Sequence, residues 1–304
     1  MHHISSLAVF VRALRLPFVT ASALPFIFGS FFASGHLDQT AFWLGLLAVV
    51  AAHVSANLIN DYADSKSGAD WNDRTSYQFF GGSKLIQEGV LTEKFYLALA
   101  LIFSGFSAAA LIVVAYLFQS TLVIYAALFI FFLSWSYSTK PFQLAYHRLG
   151  EFVIFILFGP APVMGAYYLQ TGIFPDLASF LVSIPFGLFT AAILYANEIP
   201  DFADDINAGK HNLANFFPRE RAYFGYHALS LFGLVFIAVD VALGHLSLWS
   251  LLALLAIVPI FKAGAILKNF SSDKMRLIES SKLAIFNQTL VSLVLISLWN
   301  GWRE

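Results

Sequence analysis

The sequence contains no cysteine among its 304 residues, which excludes disulfide bonds and thiol chemistry. Charged residues are also scarce, at 12% of the chain against about 25% in ordinary soluble domains. There is no phosphate-binding loop of the Walker A type, no G-x-S-x-G nucleophile motif and no dinucleotide-binding fingerprint. The eight His residues show no paired metal-ligand spacing, and no basic tail indicates binding to nucleic acid. Nothing therefore indicates a soluble nucleotide-dependent enzyme or a nucleic-acid-binding protein.

Long uncharged stretches dominate the chain, and apolar residues make up 59% of it. A helix needs about 20 apolar residues to cross the hydrocarbon core, and one stretch is long enough for two helices joined at Gln119-Ser120. Spanning segments must be helices or closed barrels, and the period-2 alternation of barrels is missing. We therefore predict an all-α polytopic membrane protein, a single domain over residues 1–304 with nine transmembrane helices in one bundle. The spans are expected within 16–37, 39–60, 95–139, 152–175, 177–197, 222–239, 241–261 and 283–302.

The distribution of basic residues predicts the orientation of this bundle. With a cytoplasmic N-terminus, every Lys and Arg except Arg303 lies in or beside a cytoplasmic segment. The outer turns, near Gly35, Gln119, Gly172 and Gly244, contain neither residue type. Because basic residues accumulate on the cytoplasmic side, we expect an integral membrane protein with its N-terminus and its polar site facing the cytoplasm. In a bacterium, the membrane would be the inner one.

Two polar segments follow the second and sixth helices and repeat one pattern. The first begins N-L-I-N-D-Y-A-D at Asn57, and the second begins N-E-I-P-D-F-A-D-D at Asn197. Both read N-x-x-x-D-x-x-D with an aromatic residue after the first Asp, and a glycine follows each, at Gly68 and Gly209. The repeat predicts a bundle with pseudo-duplicated halves, in which the two motifs face each other across a shared cavity.

The acids of each motif are expected to share one helix face, since residues at i, i+4 and i+7 project together. This spacing groups an Asn with acids in each motif: Asn57, Asp61 and Asp64 in the first, and Asn197, Asp201 and Asp204 or Asp205 in the second. Clustered carboxylates repel each other, and a divalent cation removes that repulsion. Mg²⁺ typically takes one or two carboxylates plus phosphate oxygens and water. The clusters therefore suit a diphosphate on a lipid tail; the alternative is that these acids are solvated helix ends.

Several segments resemble those of the UbiA-type membrane prenyltransferases. The aspartate-rich motifs of that family are similar to NLINDYADSKSGADWNDRT, followed by GGSKLIQEGVLT, and to NEIPDFADDINAGKHNL. The run RLPFVTASALPFIFG resembles the first helix of the family. The loop YSTKPFQLAYHRLGE and the run FGPAPVMGAYYLQTG are most similar to the 1,4-dihydroxy-2-naphthoate polyprenyltransferases of menaquinone synthesis. The resemblance covers nearly the whole chain and departs from the family at Arg15-Leu16-Pro17, where Arg-Pro is frequent.

The resemblance implies Mg²⁺ as cofactor and gives roles to residues at matching positions. Metal ligands are expected at Asp61, Asp64, Asp201, Asp204 and Asp205. Catalytic roles are expected for Asp61, Asp64, Asp201, Asp205 and Lys140. Contacts to substrate are expected for Asn57, Asn60, Arg74, Asn197, Arg15, Lys210, Tyr137 and Arg148. The basic residues also satisfy the positive-inside bias, and tyrosine is common at membrane interfaces, so both interpretations stay open for them.

The activity that the resemblance implies is transfer of a polyprenyl group from polyprenyl diphosphate to an aromatic acceptor. The acceptor expected is 1,4-dihydroxy-2-naphthoate with loss of CO₂, and 4-hydroxybenzoate or homogentisate are alternatives. Membrane lipid is the other expected partner, and nucleic acid is not. A cation-coupled transporter is an alternative from another class, but transporter sites usually lie near the bilayer midplane, whereas these acids lie at helix ends. A non-catalytic lipid-binding protein would need no pair of Mg²⁺-competent clusters.

Overall fold

The computed structural model describes residues 6–33, 35, 37–68, 71, 73, 75–269 and 272–299. Apart from one isolated bridge between His147 and His211, the regular structure of this part is helical. Five 3-10 helices are interspersed, at Leu16–Phe18, Leu144–Tyr146, Ala214–Phe216, Arg219–Arg221 and Leu248–Ala256. The α-helices are α1 (Ser6–Ala13), α2 (Thr20–Phe32), α3 (Gln39–Ser67), α4 (Glu93–Leu117), α5 (Thr121–Ser138), α6 (Gly150–Phe158), α7 (Pro160–Thr171), α8 (Leu177–Glu198), α9 (Phe202–Asn207), α10 (Tyr223–Ala242), α11 (Ile257–Asn269) and α12 (Lys274–Leu298).

Eight helical segments in the described part of the chain are long and apolar enough to cross a membrane. Three of them are composite: α6 and α7 together form Gly150–Thr171, and a 3-10 helix joins α10 to form Arg219–Ala242 and another joins α11 to form Leu248–Asn269. A bent pair at the start, Leu7–Ala13 and Leu16–Phe32 at 49°, adds a ninth if it is counted as one span. The predicted all-α polytopic architecture is confirmed, while the count of nine and the cytoplasmic N-terminus stay predictions.

Local signals in the sequence set the helix ends. The turn predicted within the longest apolar stretch is confirmed, because α4 ends at Leu117 and α5 begins at Thr121. Between them, Gln119 has a φ of 49°, a left-handed conformation that a right-handed helix cannot continue. Four helix starts are capped by side chains that accept a hydrogen bond from a backbone N–H of the first turn: Asp38, Thr92, Asp176 and Asp273.

Small residues bring the central helices close together. A Cβ added at Gly29 of α2 would lie 2.3 Å from the backbone oxygen of Val163 on α7. A Cβ added at Gly187 of α8 would lie 2.6 Å from the backbone oxygen of Phe155 on α6. Without a hydrophobic driving force between helices in lipid, such close approaches supply much of the packing energy. The second of these approaches holds α8, which leads into the second acidic motif, against α6.

The two acidic motifs lie at the C-terminal ends of α3 and α8; α3 carries the first, and the acids of the second follow α8. α3 continues without a break through the first motif to Ser67, where Gly68 ends it with a φ of 88°. Gly209 follows the second motif with a φ of 72°. Left-handed backbone at the end of a helix favours glycine because a Cβ is disfavoured there. The two halves of the bundle therefore place matching motifs at matching helix ends.

The second motif differs from the prediction that its acids would share one continuous helix face. α8 ends at Glu198, and Asp201 precedes the separate short helix α9, which carries Asp204 and Asp205. Pro200 causes the break, because proline has no N–H to donate and its ring clashes with the preceding turn. The backbone N–H of Asp205 donates to the carbonyl of Asp201 at 2.8 Å, so the first turn of the separate helix α9, rather than a continuation of α8, groups these acids.

Candidate active site

A polar cavity lies between the C-terminal ends of α3 and α8 and contains acids from both motifs. The acids in its described lining are Asp64, Asp73, Glu198, Asp201, Asp204 and Asp205. The basic residues in that lining are Arg15, Lys84, Lys210 and Lys274. Since the six acids outnumber the four basic residues, this lining carries a surplus of negative charge that favours bound cations.

Asp61 is buried beside the cavity, with 3% of its surface exposed. Its Oδ2 accepts a hydrogen bond from the backbone N–H of Ser83 at 3.1 Å, and its Oδ1 lies 3.6 Å from Nη1 of Arg15. The same guanidinium nitrogen donates to Oδ1 of Asn60 at 3.4 Å. Arg15 therefore links the segment before α2 to the first acidic motif.

Asp64 is held by two donors from different elements. Its Oδ1 accepts a hydrogen bond from the hydroxyl of Tyr146 at 2.9 Å, and its Oδ2 accepts one from Nδ2 of Asn60 at 3.1 Å. That amide nitrogen also donates to Oγ of Ser138 at 2.8 Å, at the end of α5. Such outer contacts fix the direction of a carboxylate, which a metal ligand needs.

Lys274, the first residue of α12, ties three acids of the cavity together. Its Nζ lies 2.8 Å from Oδ2 of Asp73, 2.8 Å from Oδ2 of Asp204 and 3.5 Å from Oδ1 of Asp201. An ammonium among three carboxylates offsets their mutual repulsion. Burial acts to raise the pKa of Asp73, but the hydrogen bonds from Lys274 and Thr75, together with the charge of Lys274, outweigh it and hold that pKa well below its usual range.

Lys210 supplies a second ammonium group on the other side of the second motif. Its Nζ lies 3.6 Å from Oδ1 of Asp205, whose Oδ2 accepts a hydrogen bond from Nδ2 of Asn212 at 2.8 Å. Burial acts to lower the pKa of Lys210, but the charges of Asp205 and Asp64 hold it well above its ordinary value. Burial raises the pKa of Asp201, although the neighbouring lysines oppose that effect. Lys210 is therefore a cation at neutral pH.

The loop after the first motif reaches across to the second. Gly81 and Gly82 have φ angles of 71° and 74°, which favour glycine. A Cβ on Gly81 would lie 3.7 Å from both carboxylate oxygens of Asp201, so the backbone runs directly beside that acid. Lys84, which follows in the loop, is 5% exposed and lines the cavity.

The structure brings most of the predicted site residues together, but not all. Five of the predicted substrate contacts line the cavity: Arg15, Asn60, Tyr137, Asn197 and Lys210. Lys140 is exposed after the end of α5, and Arg148 is exposed with its guanidinium 5.0 Å from the ring centre of Phe216. Neither lines the cavity, because both side chains extend to the surface, where charge is best solvated. Asn57 does not line it either, and Arg74 lies outside the described residues.

Three further residues of the site had not been predicted from the sequence. Lys274 is 70 positions from Asp204, its partner in the cavity, and no local pattern connects them. Tyr146 lies inside the loop that resembles the naphthoate subgroup, but only its contact with Asp64 gives it a role. Glu198 lies inside the second motif, but it is not part of the Asn and Asp spacing that the two motifs share.

The donor set fits Mg²⁺ held jointly with a diphosphate. The five motif acids offer oxygen, the ligand type that Mg²⁺ prefers, and Oδ1 of Asp61 is buried without a hydrogen-bond partner. In the described part of the chain, no three His, Asp or Glu side chains converge closely enough to bind a metal by themselves. Mg²⁺ commonly takes one or two protein carboxylates and completes its shell with phosphate oxygens and water. A site that relies on substrate oxygens matches that preference.

The fold and this cavity define a polytopic integral membrane protein with a polar site, rich in acids and lysines, at one end of its helix bundle. The UbiA prenyltransferase family model matches residues 22–285. The chain therefore belongs to the UbiA prenyltransferase family.

Three known proteins illustrate the similarity. The 1,4-dihydroxy-2-naphthoate octaprenyltransferase of Haemophilus influenzae is 34% identical over 210 residues, which cover 66% of this chain and 65% of that protein. The protein of the same name from Escherichia coli is 31% identical over 236 residues, 73% of this chain and 72% of that one. The structure of a UbiA homolog from Archaeoglobus fulgidus bound to DMAPP and Mg²⁺ has a TM-score of 0.55 at 16% identity, covering 95% of this chain and 99% of that one. That match concerns the fold alone.

Proposed function

We propose that this protein transfers a polyprenyl group from polyprenyl diphosphate to an aromatic acceptor, namely 1,4-dihydroxy-2-naphthoate, with loss of CO₂. The observation that carries the proposal is the meeting of both acidic motifs with Lys210 and Lys274 in one cavity. Acids without such cations would suit a metal alone, whereas acids and lysines together suit a metal-bound anion. The two relatives named for dihydroxynaphthoate support this acceptor.

Different residues of the cavity would bind the metal and stabilise the diphosphate. Asp61 and Asp64 on one side, and Asp201 with its neighbours on the other, would hold Mg²⁺. When bound, Mg²⁺ supplies positive charge that stabilises the departing diphosphate. Lys210 and Lys274 add fixed positive charge near the same oxygens, which favours the transition state in a site with little water.

An apolar groove of about 280 Å³ provides a place for the prenyl tail. Its lining from α3 is Gly45, Ala48, Val49 and Ala52, and residues of α2, α4, α5, α6 and α7 contribute the rest together with Phe174. At about 1.5 Å per residue, the distance along α3 from Asp61 to these positions is roughly 14–24 Å. A chain that starts at the acids and follows the bundle would therefore reach the groove with its apolar end.

Gly165 of α7 lines this groove, and a Cβ added there meets nothing within 4 Å. We expect Gly165→Phe to fill the groove and shift the preferred substrate toward shorter prenyl diphosphates, because the ring occupies space that a long tail needs. The measurement is kcat/KM over a series of chain lengths. Gly105→Phe is the control, since Gly105 also has open space around it but lies exposed on α4 outside the groove. An unchanged length profile in Gly165→Phe would place the tail elsewhere.

An acceptor panel tests the proposed activity. Purified protein is incubated with Mg²⁺, a polyprenyl diphosphate and, in turn, 1,4-dihydroxy-2-naphthoate, 4-hydroxybenzoate and homogentisate. We expect diphosphate release and CO₂ in equal amounts with the naphthoate. Turnover with another acceptor alone would keep the prenyl transfer and replace the acceptor. No diphosphate release with any acceptor would reject the enzyme and favour the transporter alternative.

The orientation gives a separate prediction. We propose that the cavity faces the cytoplasm of a bacterial inner membrane, since Lys84, Lys210 and Lys274 all lie at that end of the bundle. With nine spans and a cytoplasmic N-terminus, a reporter fused after Glu304 is expected to be active only in its periplasmic form. A cytoplasmic signal from that reporter would show that the bent first pair of helices does not cross the membrane.

A further inference from the structure

A pair of buried glutamates lies at the inner edge of the cavity. Glu198 ends α8 and Glu151 lies in the first turn of α6; each is 3% exposed. The two helices pack against each other, which brings the two carboxyl groups within range of strong electrostatic interaction. Glu198 also lines the cavity, next to Asn197 in sequence and with Tyr137 in the same lining.

The hydrogen bonds of this pair are incomplete. Both carboxylate oxygens of Glu198 and Oε2 of Glu151 are buried and accept no hydrogen bond within the described part of the chain. The remaining oxygen, Oε1 of Glu151, accepts one from the backbone N–H of Leu213 at 3.2 Å. A buried acceptor without a donor costs about 1–3 kcal/mol, and more when charged. A purely structural pair would have been satisfied by its neighbours, so these oxygens indicate a missing donor.

The surrounding groups do not supply that donor. Lys210 is near enough to act electrostatically on Glu198, but its ammonium pairs with Asp205. The hydroxyl of Tyr195 lies against Gly225 of α10 and is itself buried without a partner. Tyr137 of α5 lines the same cavity as Glu198 and is near enough to interact electrostatically with both glutamates. Two neighbouring carboxyl groups cannot both carry full charge in such a place, so a proton shared between them would serve one oxygen of each and leave the other oxygen of Glu198 without a donor.

We infer that Glu198, held in place by Glu151, binds the hydroxyl of the aromatic acceptor and takes its proton as the new carbon–carbon bond forms. This inference rests on the proposed function and concerns the acceptor side of the same cavity. Glu198 lies three positions before Asp201, so a ring bound beside the diphosphate would meet it. The acceptor hydroxyl would be the donor that the buried oxygens lack.

The proposed step balances in atoms and electrons. The allylic C–O bond breaks and its electron pair leaves on the diphosphate. The ring carbon that bears the carboxylate bonds to the allylic carbon, the adjacent hydroxyl becomes a carbonyl, and its proton passes to Glu198. Loss of CO₂ then returns an electron pair to the ring, and the oxygen takes the proton back from Glu198. The glutamate therefore acts first as base and then as acid, with no other reactant.

Glu198→Gln keeps the shape of the side chain but removes its ability to take a proton. General acid–base catalysis contributes about 10²–10⁴-fold, so kcat with the ordinary acceptor is expected to fall within that range. The loss should shrink toward unity with a ring-substituted acceptor whose hydroxyl is already ionised at the assay pH. KM for the polyprenyl diphosphate should not change. Glu151→Gln, which removes only the positioning partner, should show the same pattern with a smaller loss.

An equal loss with every acceptor would show that Glu198 is structural, and a raised KM for the diphosphate would assign it to the leaving-group side; either result overturns the inference.

Binding gives a readout that needs no turnover. Titration calorimetry with a hydroxynaphthoate and its methyl ether should show at least tenfold preference for the free hydroxyl in the wild type, lost in Glu198→Ala. Equal binding of both compounds by the wild type would reject the inference. If the wild type prefers the free hydroxyl but transfers no prenyl group to any acceptor, the proposed function is rejected and the binding role of Glu198 stands.

Discussion

Replacing Asp64 or Asp201 with Asn is expected to abolish turnover while the protein still inserts and folds. Each substitution keeps the size of the side chain and removes one negative charge from a different motif. Loss of a group outside the metal shell typically costs 10–100-fold, so loss of a direct ligand should exceed about 100-fold. The two positions should be equally sensitive, because the diphosphate would be held between both motifs. In Asp64→Asn, one of the two oxygens that accept hydrogen bonds from Tyr146 and Asn60 is also lost, which adds to the loss of turnover.

The measurement is kcat and KM at increasing Mg²⁺, with the elution profile in detergent as evidence of folding. Glu279→Gln is the matched control, because Glu279 is an exposed acid on α12 that pairs with Lys262 away from the cavity. It should retain full activity. Near-normal turnover of either aspartate variant at saturating Mg²⁺ would remove that residue from the proposed metal site.

Lys274→Ala is expected to lower turnover strongly and to change the Mg²⁺ requirement as well. Its ammonium contacts Asp73, Asp201 and Asp204, and a diphosphate bound to these acids would share it. Removal of one preorganised charge that stabilises the transition state costs about 10²–10³-fold in kcat. At the same time the three acids lose a competing cation, so half-maximal activation should need less Mg²⁺.

Lys140→Ala is the comparison for this prediction. The resemblance assigned catalysis to Lys140, but its side chain is exposed and does not line the cavity. We expect its substitution to change kcat less than threefold, since exposed charges are well screened. A larger loss in Lys140→Ala than in Lys274→Ala would restore the original assignment and remove Lys274 from the leaving-group site. An unchanged Mg²⁺ requirement in Lys274→Ala would show that the lysine does not compete with the metal.

Much of the molecule could be predicted from the sequence because the underlying signals are local. Twenty-residue apolar runs must form helices in lipid, and the turn at Gln119 lies where one run is too long for a single crossing. The spacing of Asp61 and Asp64 was sufficient to place them on α3, since that helix contains no proline and no glycine lies between Gly45 and Gly68. Pro200 was an available signal in the second motif, and it explains why the helix expected there ends at Glu198.

The sequence by itself determined the membrane class, the turn between α4 and α5 and the acidic motifs, because apolar length and short-range spacing act within a few turns of chain. Only the tertiary structure decided which basic residues complete the site. Lys140 and Lys274 are both lysines at helix ends, and nothing in the neighbouring residues ranks one above the other. Packing of α12 against α8 brings Lys274 to the second motif, whereas Lys140 stays at the surface. The partnership of Glu151 with Glu198 likewise depends on α6 packing against α8, a contact between residues distant in the chain that no local pattern encodes.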